Sequence, residues 1–327
     1  MTQVLITGAT GFIGGHVAKA ALREGWQVTG LRRDPHKTGH LTETALSWVQ
    51  GNLNDPDSLR YAFQEQDLVF HAAGYYPPSG NPPPVEEQVR QAEAEISRVL
   101  QAAESAGIDR LVYTSSLSTV HRAGGTPPGW TDESDRYQAG SLPRNAYYEV
   151  KRAMEQAVLA AAAQGLDAVI VNPTAVFGPG DVNLATARVI QLIAQGKAWA
   201  VPEGIINVVD ARDVADSQVA AGRHGQPGER YLLGGPNLSI PAFATLTAKL
   251  AGVSPPRVVI PTDVLKTAVR IGDLLPFLPP LPDHLRALIQ KQRYNIHKAV
   301  EELGHTYRPI EKTIHASITW LSEQGIL

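Results

Sequence analysis

Apolar residues follow two rhythms along this chain. Short unbroken runs, such as QVLIT at Gln3 to Thr7 and RLVYT at Arg110 to Thr114, suit strands buried on both faces. Between them lie longer stretches with apolar residues every three or four positions, which suit amphipathic helices. Read forward, strands are expected at Gln3 to Thr7, Trp26 to Leu31, Ala45 to Gln50, Asp67 to Ala72, Arg110 to Thr114 and Leu166 to Asn172. Helices are expected at Phe12 to Leu22, Pro56 to Phe63, Val85 to Ala106 and from about Asn145 onward. Asp55 then Pro56 suits the second helix start: an N-cap carboxylate, then a residue with no N–H to satisfy. Later the rhythm gives a helix at Asn183 to Gln195, a strand at Ile205 to Val209, a helix at Asp210 to Ala221 and a strand at Tyr231 to Leu233. From Ile240 to Trp320 the chain reads as largely helical, broken by prolines at 255, 256, 261, 276, 279, 280 and 282. Strand and helix alternate as βα units, so the expectation is an α/β fold.

Composition narrows the function. At 327 residues the chain can bury a substantial core, as one large α/β domain or two. The net charge of −3 carries no basic block for nucleic acid. With no cysteine, disulfides, thiolate catalysis and cysteine-ligated metals are excluded. His297, His305 and His315 fit no metal spacing, so no metal site is expected. No run is long enough to span a membrane, and the chain opens directly on a strand rather than a signal peptide. The expectation is a soluble, cytoplasmic protein.

The chemistry starts at the first turn. After the Gln3 to Thr7 strand come Gly8, Gly11 and Gly14, three residues apart, and then a helix. A missing Cβ lets a pyrophosphate approach the backbone, or a helix approach a sheet. The helix N-terminus adds unpaired N–H groups and a positive dipole end. A merely tight turn would look the same alone; the βα units behind it point to a dinucleotide. The second strand ends Arg32-Arg33-Asp34. An acid there suits the ribose 2′-hydroxyl of NAD, and arginine the 2′-phosphate of NADP. Two arginine forks favour NADP. Asp34, twenty residues after Gly14, keeps NAD possible. His71, on an apolar strand, reads as a hydrogen-bonded structural residue. Asp213 reads as a carboxylate pinning a helix terminus or loop.

Two further motifs lie on elements that end near that turn. Ser115 and Ser116 close the Arg110 strand, where open α/β sheets bind ligands. Tyr147 and Lys151 share one helix face at i and i+4. A free phenol titrates at about 10, and a neighbouring ammonium would draw it down. Tyr294 and Lys298 repeat the spacing. Only Tyr147 and Lys151 open the helix that follows the serine strand, so the later pair is expected to be structural.

GATGFIG at 8–14, HAAG at 71–74, TSS at 114–116, the Tyr147/Lys151 pair and NPTAVFGPG at 172–180 together resemble the extended short-chain dehydrogenase/reductase superfamily. The texture is nearest its dihydroflavonol-reductase-like and hopanoid-associated-epimerase-like branch. The resemblance covers nearly the whole chain. It implies a Rossmann doubly wound parallel sheet at 1–180, with 205–233 returning to it, and a smaller, mainly helical substrate domain at 181–327. It implies that Gly8, Thr10, Gly11, Phe12, Ile13, Gly14, Arg32, Arg33, Asn52, Leu53, Ala72, Ala73, Gly74, Tyr147, Lys151, Pro173 and Val176 bind the cofactor. It assigns catalysis to Ser116, with Ser115 as runner-up, and to Tyr147 and Lys151.

The implied activity is NADP(H)-dependent carbonyl reduction or alcohol oxidation of a small molecule. Relatives commonly dimerise through the helices at 85–106 and 145–164, which implies a homodimer. Two departures bear on the alternatives. Relatives often read Asn-Val-x-Gly-Thr where this chain has Ala92-Glu93-Ala94-Glu95-Ile96. Sugar-nucleotide enzymes often carry arginine before the proline, where this chain has Asn172. Both weigh against a nucleotide-sugar epimerase, the enzyme alternative. A catalytically silent, NADP-sensing protein is the other. The loop 77–84 and the apolar, proline-rich 274–285 read as walls of a substrate pocket.

Overall fold

The computed structural model describes residues 1–41, 45–78, 82–121, 130–142, 145–267 and 292–327. The apolar stretch 274–285 and part of the loops 77–84 and 121–144 lie outside the described residues. The first half alternates β1 (Gln3–Thr7), α1 (Phe12–Arg23), β2 (Gln27–Arg32), β3 (Ser47–Gln50), α2 (Pro56–Phe63), β4 (Leu68–His71), α3 (Val85–Ala106) and β5 (Arg110–Thr114). A one-turn 3-10 helix, Leu117–Val120, and the short β6 (Trp130–Thr131) precede α4 (Ala146–Ala163) and β7 (Ala168–Pro173). Asp55 caps α2 through its carboxylate, with Pro56 at the first position, as the sequence requires.

The second half contains β8 (Ala175–Phe177), α5 (Ala187–Ala194), β9 (Ala200–Pro202), β10 (Ile205–Asp210), α6 (Ala211–His224) and β11 (Arg230–Leu233). After them come β12 (Asn237–Ser239), α7 (Ile240–Ala251), β13 (Val258–Ile260), β14 (Arg293–Tyr294), α8 (His297–Leu303) and α9 (Ile310–Glu323).

Seven strands form one parallel sheet in the order β11-β7-β5-β4-β1-β2-β3. Its apolar strands are buried on both faces, as a parallel sheet requires. In β1, Val4, Leu5 and Ile6 have no exposed surface. One face is covered by α1 and α6, and the other by α2, α3 and α4. Strand order reverses between β1 and β4, so a crevice opens there at the carboxyl ends. The sequence motifs converge on this edge. At the opposite edge Arg110 grips Asp167 with two parallel bonds of 2.9 Å and sets β5 beside β7.

The second half differs from the sequence reading in several places. β10 pairs with β8 and β12 in a separate three-stranded sheet; α6 and β11 are the parts that rejoin the main fold. The stretch after Ile240 includes the strands β13 and β14, which pair with β9 and β6. Both are too short for periodicity to register, and their partners are distant in sequence. The helix expected from Asn183 starts at Ala187, because Asp181 ties the preceding residues into a turn by accepting from the N–H groups of Ala185, Thr186 and Ala187. Phe177, Ile190, Phe243, Ile314 and Leu321 build the core of this half.

Gly14 shows how tightly the crevice is built. A Cβ there would lie 2.2 Å from the Gly8 carbonyl oxygen, inside contact distance of rigid backbone. Gly14→Ala should lower unfolding free energy by about 1–3 kcal/mol in urea denaturation, the usual cost of overpacking. An unchanged midpoint would show that α1 shifts freely on the sheet.

Candidate active site

The glycine turn closes on itself. The Gly11 N–H donates to the Gly8 carbonyl at 2.8 Å. Gly8 has φ +77°, and a Cβ on it would sit 2.7 Å from the Ala73 nitrogen. The ends of β1 and β4 therefore approach as closely as bare backbone permits. Gly11, the N-cap of α1, offers no side-chain cap, so the first-turn N–H groups, beginning with Phe12 and Ile13, face a ligand position. This cradle fits a dinucleotide pyrophosphate. The loop after β2 folds back over it: Gly39 packs on the Thr10 carbonyl, and the His40 ring sits between Gly15 and Gly180. His16 donates from Nε2 to the Pro179 carbonyl at 2.8 Å, which ties α1 to the loop after β8.

At the ribose end the two arginines diverge. The Arg32 guanidinium lies 4.8 Å from the Trp48 ring centroid, while Arg33 is exposed. The Asp34 carboxylate accepts from the His36 N–H at 2.9 Å, so it serves its own turn. Asn52 is exposed at the end of β3, with its carbonyl oxygen engaged by the Asn54 N–H. Leu53 packs into the core beneath. At the other end the Ala72 N–H donates to the Thr7 carbonyl, and Gly74 packs closely on Met154, with Lys151 nearby. A Cβ on Gly74 would be 3.9 Å from the Lys151 Nζ and 3.2 Å from the Met154 methyl. Pro173 ends β7, and Val176 is buried in β8. His71 is fully buried and hydrogen-bonded through Nδ1 to the Thr7 hydroxyl at 2.7 Å.

Ser116, Tyr147 and Lys151 come together at the carboxyl edge. The Tyr147 hydroxyl donates to Ser116 Oγ at 3.1 Å. Asn145 caps α4 and so places Tyr147 in its first turn, with buried Lys151 one turn on. Ser115 is spent elsewhere: its hydroxyl donates to Glu155 Oε2 at 2.5 Å. The expectation that Lys151 draws the Tyr147 phenol down is not met. Burial, with Tyr76 beside it, holds that phenol well above its ordinary value. The Lys151 ammonium lies over the Tyr76 ring, 5.4 Å from its centroid.

Tyr294 and Lys298 take no part in this cluster. The Tyr294 hydroxyl donates to Gln292, and Lys298 pairs with Glu229 over the Tyr231 ring. Asp213 accepts from the Arg308 backbone and guanidinium, pinning the turn between α8 and α9.

Sequence reasoning passed over several side chains around the site. Tyr76 lies beside Tyr147, with ring centroids 5.7 Å apart. Glu95 is buried on α3, and burial holds its carboxyl above the ordinary carboxylate range. Glu155 is buried beneath the serines. Its signal was visible as an acid four residues after Lys151 and eight after Tyr147.

The sequence profile of the NAD dependent epimerase/dehydratase family matches residues 4–234. A putative dihydroflavonol 4-reductase of Synechocystis sp. is 31% identical, covering 98% of this chain and 94% of its own length. Sterol demethylase protein B of Methylococcus capsulatus is 28% identical over 99% of both. Among solved structures, gox2253 superposes over the whole of both chains with a TM-score of 0.89 at 28% identity.

Burial around the site makes it acid-sensitive. Burial, then the charge of Lys151, lowers His71 from 6.5 to about 3. Burial, then neighbouring His40, lowers His16 to about 3. Between those values the unfolded chain binds protons that the folded one refuses, so stability is full above 6.5 and falls as pH drops. His71→Asn keeps a partner for Thr7 and cannot titrate. It should shrink the loss of unfolding free energy between about pH 7 and about pH 5 by about 2 kcal/mol. An equal loss in both proteins would exclude His71 as a source.

Proposed function

The chain belongs to the NAD dependent epimerase/dehydratase family as an NAD(P)-binding oxidoreductase, and we propose that it reduces a small-molecule ketone or aldehyde, or oxidises the alcohol, with NADP(H). The hydrogen bond between Tyr147 and Ser116, with Lys151 on the same helix face, carries this reading. Tyr147 exchanges a proton with the substrate oxygen, and Ser116 holds that oxygen by a hydrogen bond. A phenol held above its ordinary value rests protonated at neutral pH, the form needed for reduction. Lys151, one turn along α4, grips the nicotinamide ribose.

Gly8, Thr10, Gly11, Phe12, Ile13 and Gly14 hold the pyrophosphate. Asn52 and Leu53 flank the adenine, and Ala72, Ala73, Gly74, Pro173 and Val176 line the nicotinamide end. When bound, the cofactor supplies or accepts the hydride. Arg32 and Arg33 take the 2′-phosphate, and the engagement of Asp34 in its own turn supports NADP over NAD. We infer a homodimer through α3 and α4, which pack along each other. Among the described residues no helix is long and apolar enough to cross a membrane.

Two measurements test the reading. Tyr147→Phe should cut turnover of a dihydroflavonol or another ketone by about a hundredfold or more and leave NADPH affinity nearly unchanged. Persisting activity would remove Tyr147 from its role. Titration of nucleotide-stripped protein, followed by tryptophan fluorescence, should show NADPH binding more tightly than NADH. Tightly retained NAD(H) would instead favour an epimerase working on one captive cofactor. Binding of neither would sink the proposal.

A further inference from the structure

Beneath Ser116 lies a buried ion pair that the proposed chemistry does not use. Glu155, on α4, and Arg230, at the start of β11, are each almost fully buried, with Glu155 Oε1 and Arg230 Nε 2.9 Å apart. The other carboxylate oxygen, Oε2, receives three donors: the Ser115 hydroxyl at 2.5 Å, the Thr119 hydroxyl at 2.6 Å and the Asn172 amide at 2.7 Å. The same Asn172 amide nitrogen lies 3.2 Å from the Ser116 carbonyl, and the Thr119 oxygen is 3.0 Å from that carbonyl. Thr119 has a single proton, which serves the shorter contact to Glu155. Its oxygen accepts from Asn172 at 2.8 Å. Arg230 also reaches outward, donating to the carbonyls of Glu133 and Asp135 at 2.9 and 3.1 Å.

We propose that Glu155 is a positioning residue for Ser116. It rests on the reading of Ser116 as the hydroxyl that holds the substrate oxygen. The carboxylate fastens the β5 end, the Leu117–Val120 turn and Asn172 to the helix that carries Tyr147. That anchoring fixes the Ser116 backbone and keeps its hydroxyl opposite the phenol. Arg230 neutralises the carboxylate and fixes the loop at 133–135 to the same point. Charge alone does not suffice, because the three donors need an oxygen with free lone pairs facing them. In Glu155→Gln, an amide oxygen turned toward the donors would set an NH2 group against Arg230.

The experiment is a double-mutant cycle between Glu155→Gln and Ser116→Ala, assayed with NADPH and a dihydroflavonol. Hydrogen exchange is read over residues 115–121. Glu155→Gln alone should lower kcat about tenfold with KM nearly unchanged, and leave NADPH affinity within about twofold. In the Ser116→Ala background it should cost less than about twofold, because the positioned hydroxyl is gone. Exchange should quicken at 115–121 and stay slow in β1 and α1. If Glu155→Gln does not fold, Ser115→Ala removes one of the three donors, with a smaller loss of about threefold that should vanish in the same background. Equal losses in both backgrounds, or unchanged kcat, would overturn the proposal. If Ser116→Ala keeps full activity while exchange still quickens, the assignment of Ser116 fails and the anchoring stands. Unchanged exchange would sink the anchoring itself.

Discussion

A carboxylate cannot be taken out of water without compensation, and the carboxyl edge of this sheet is arranged around one such group. Glu155 is held by one guanidinium and three hydrogen-bond donors drawn from β5, the turn after it, β7 and β11. Removing either charge of such a pair typically costs about 3–5 kcal/mol, since the other is left buried and unpaired. The paired state itself adds little net stability over an apolar core. What it supplies is direction, because a carboxylate with four partners has few alternative geometries. It ties the carboxyl ends of β5 and β7, the turn between them and β11 to one point on α4.

The crevice on the other side of Ser116 obeys a steric rule rather than an electrostatic one. β1, β4 and α1 meet where Gly8 and Gly14 have no Cβ, and added atoms there would fall within 3 Å of backbone. Helix N–H groups left uncapped at Gly11 face the space so created. In the proposed site, backbone dipoles would serve the nucleotide end and side chains the reacting end. The two meet near Gly74, where the Lys151 ammonium lies 3.9 Å from the place a Cβ would take.

Much of this was legible in the sequence because it is local. The βα alternation, the glycine turn and the spacing of Tyr147 and Lys151 each lie within one or two elements. The Asp55-Pro56 start of α2 was readable for the same reason. The preference for Ser116 over Ser115 came from the resemblance; what the sequence does not show is that Glu155, far along the chain, accepts from the Ser115 hydroxyl. The direction of the Tyr147 phenol was misread for a related cause. Spacing shows a lysine one turn away, but not the burial or the Tyr76 ring that outweighs it. β13 and β14 were missed because two or three residues carry no period, and their pairing partners lie far away. The return to the main sheet was placed too early, since nothing in the apolar run at Ile205 says which sheet it joins.

The order of strands along the chain also sets an order of assembly. The main sheet is interrupted after β7: the polypeptide builds β8, α5, β9 and β10 before it returns with α6 and β11. Arg230 is therefore among the last parts of the sheet to leave a ribosome. Until it does, β7 is an open edge and Glu155 has no counter-ion. A chain stopped short of residue 230 would hold every residue proposed for chemistry and lack the guanidinium that pairs with Glu155. The surroundings of Glu155 are thus completed by the final strand of the main sheet.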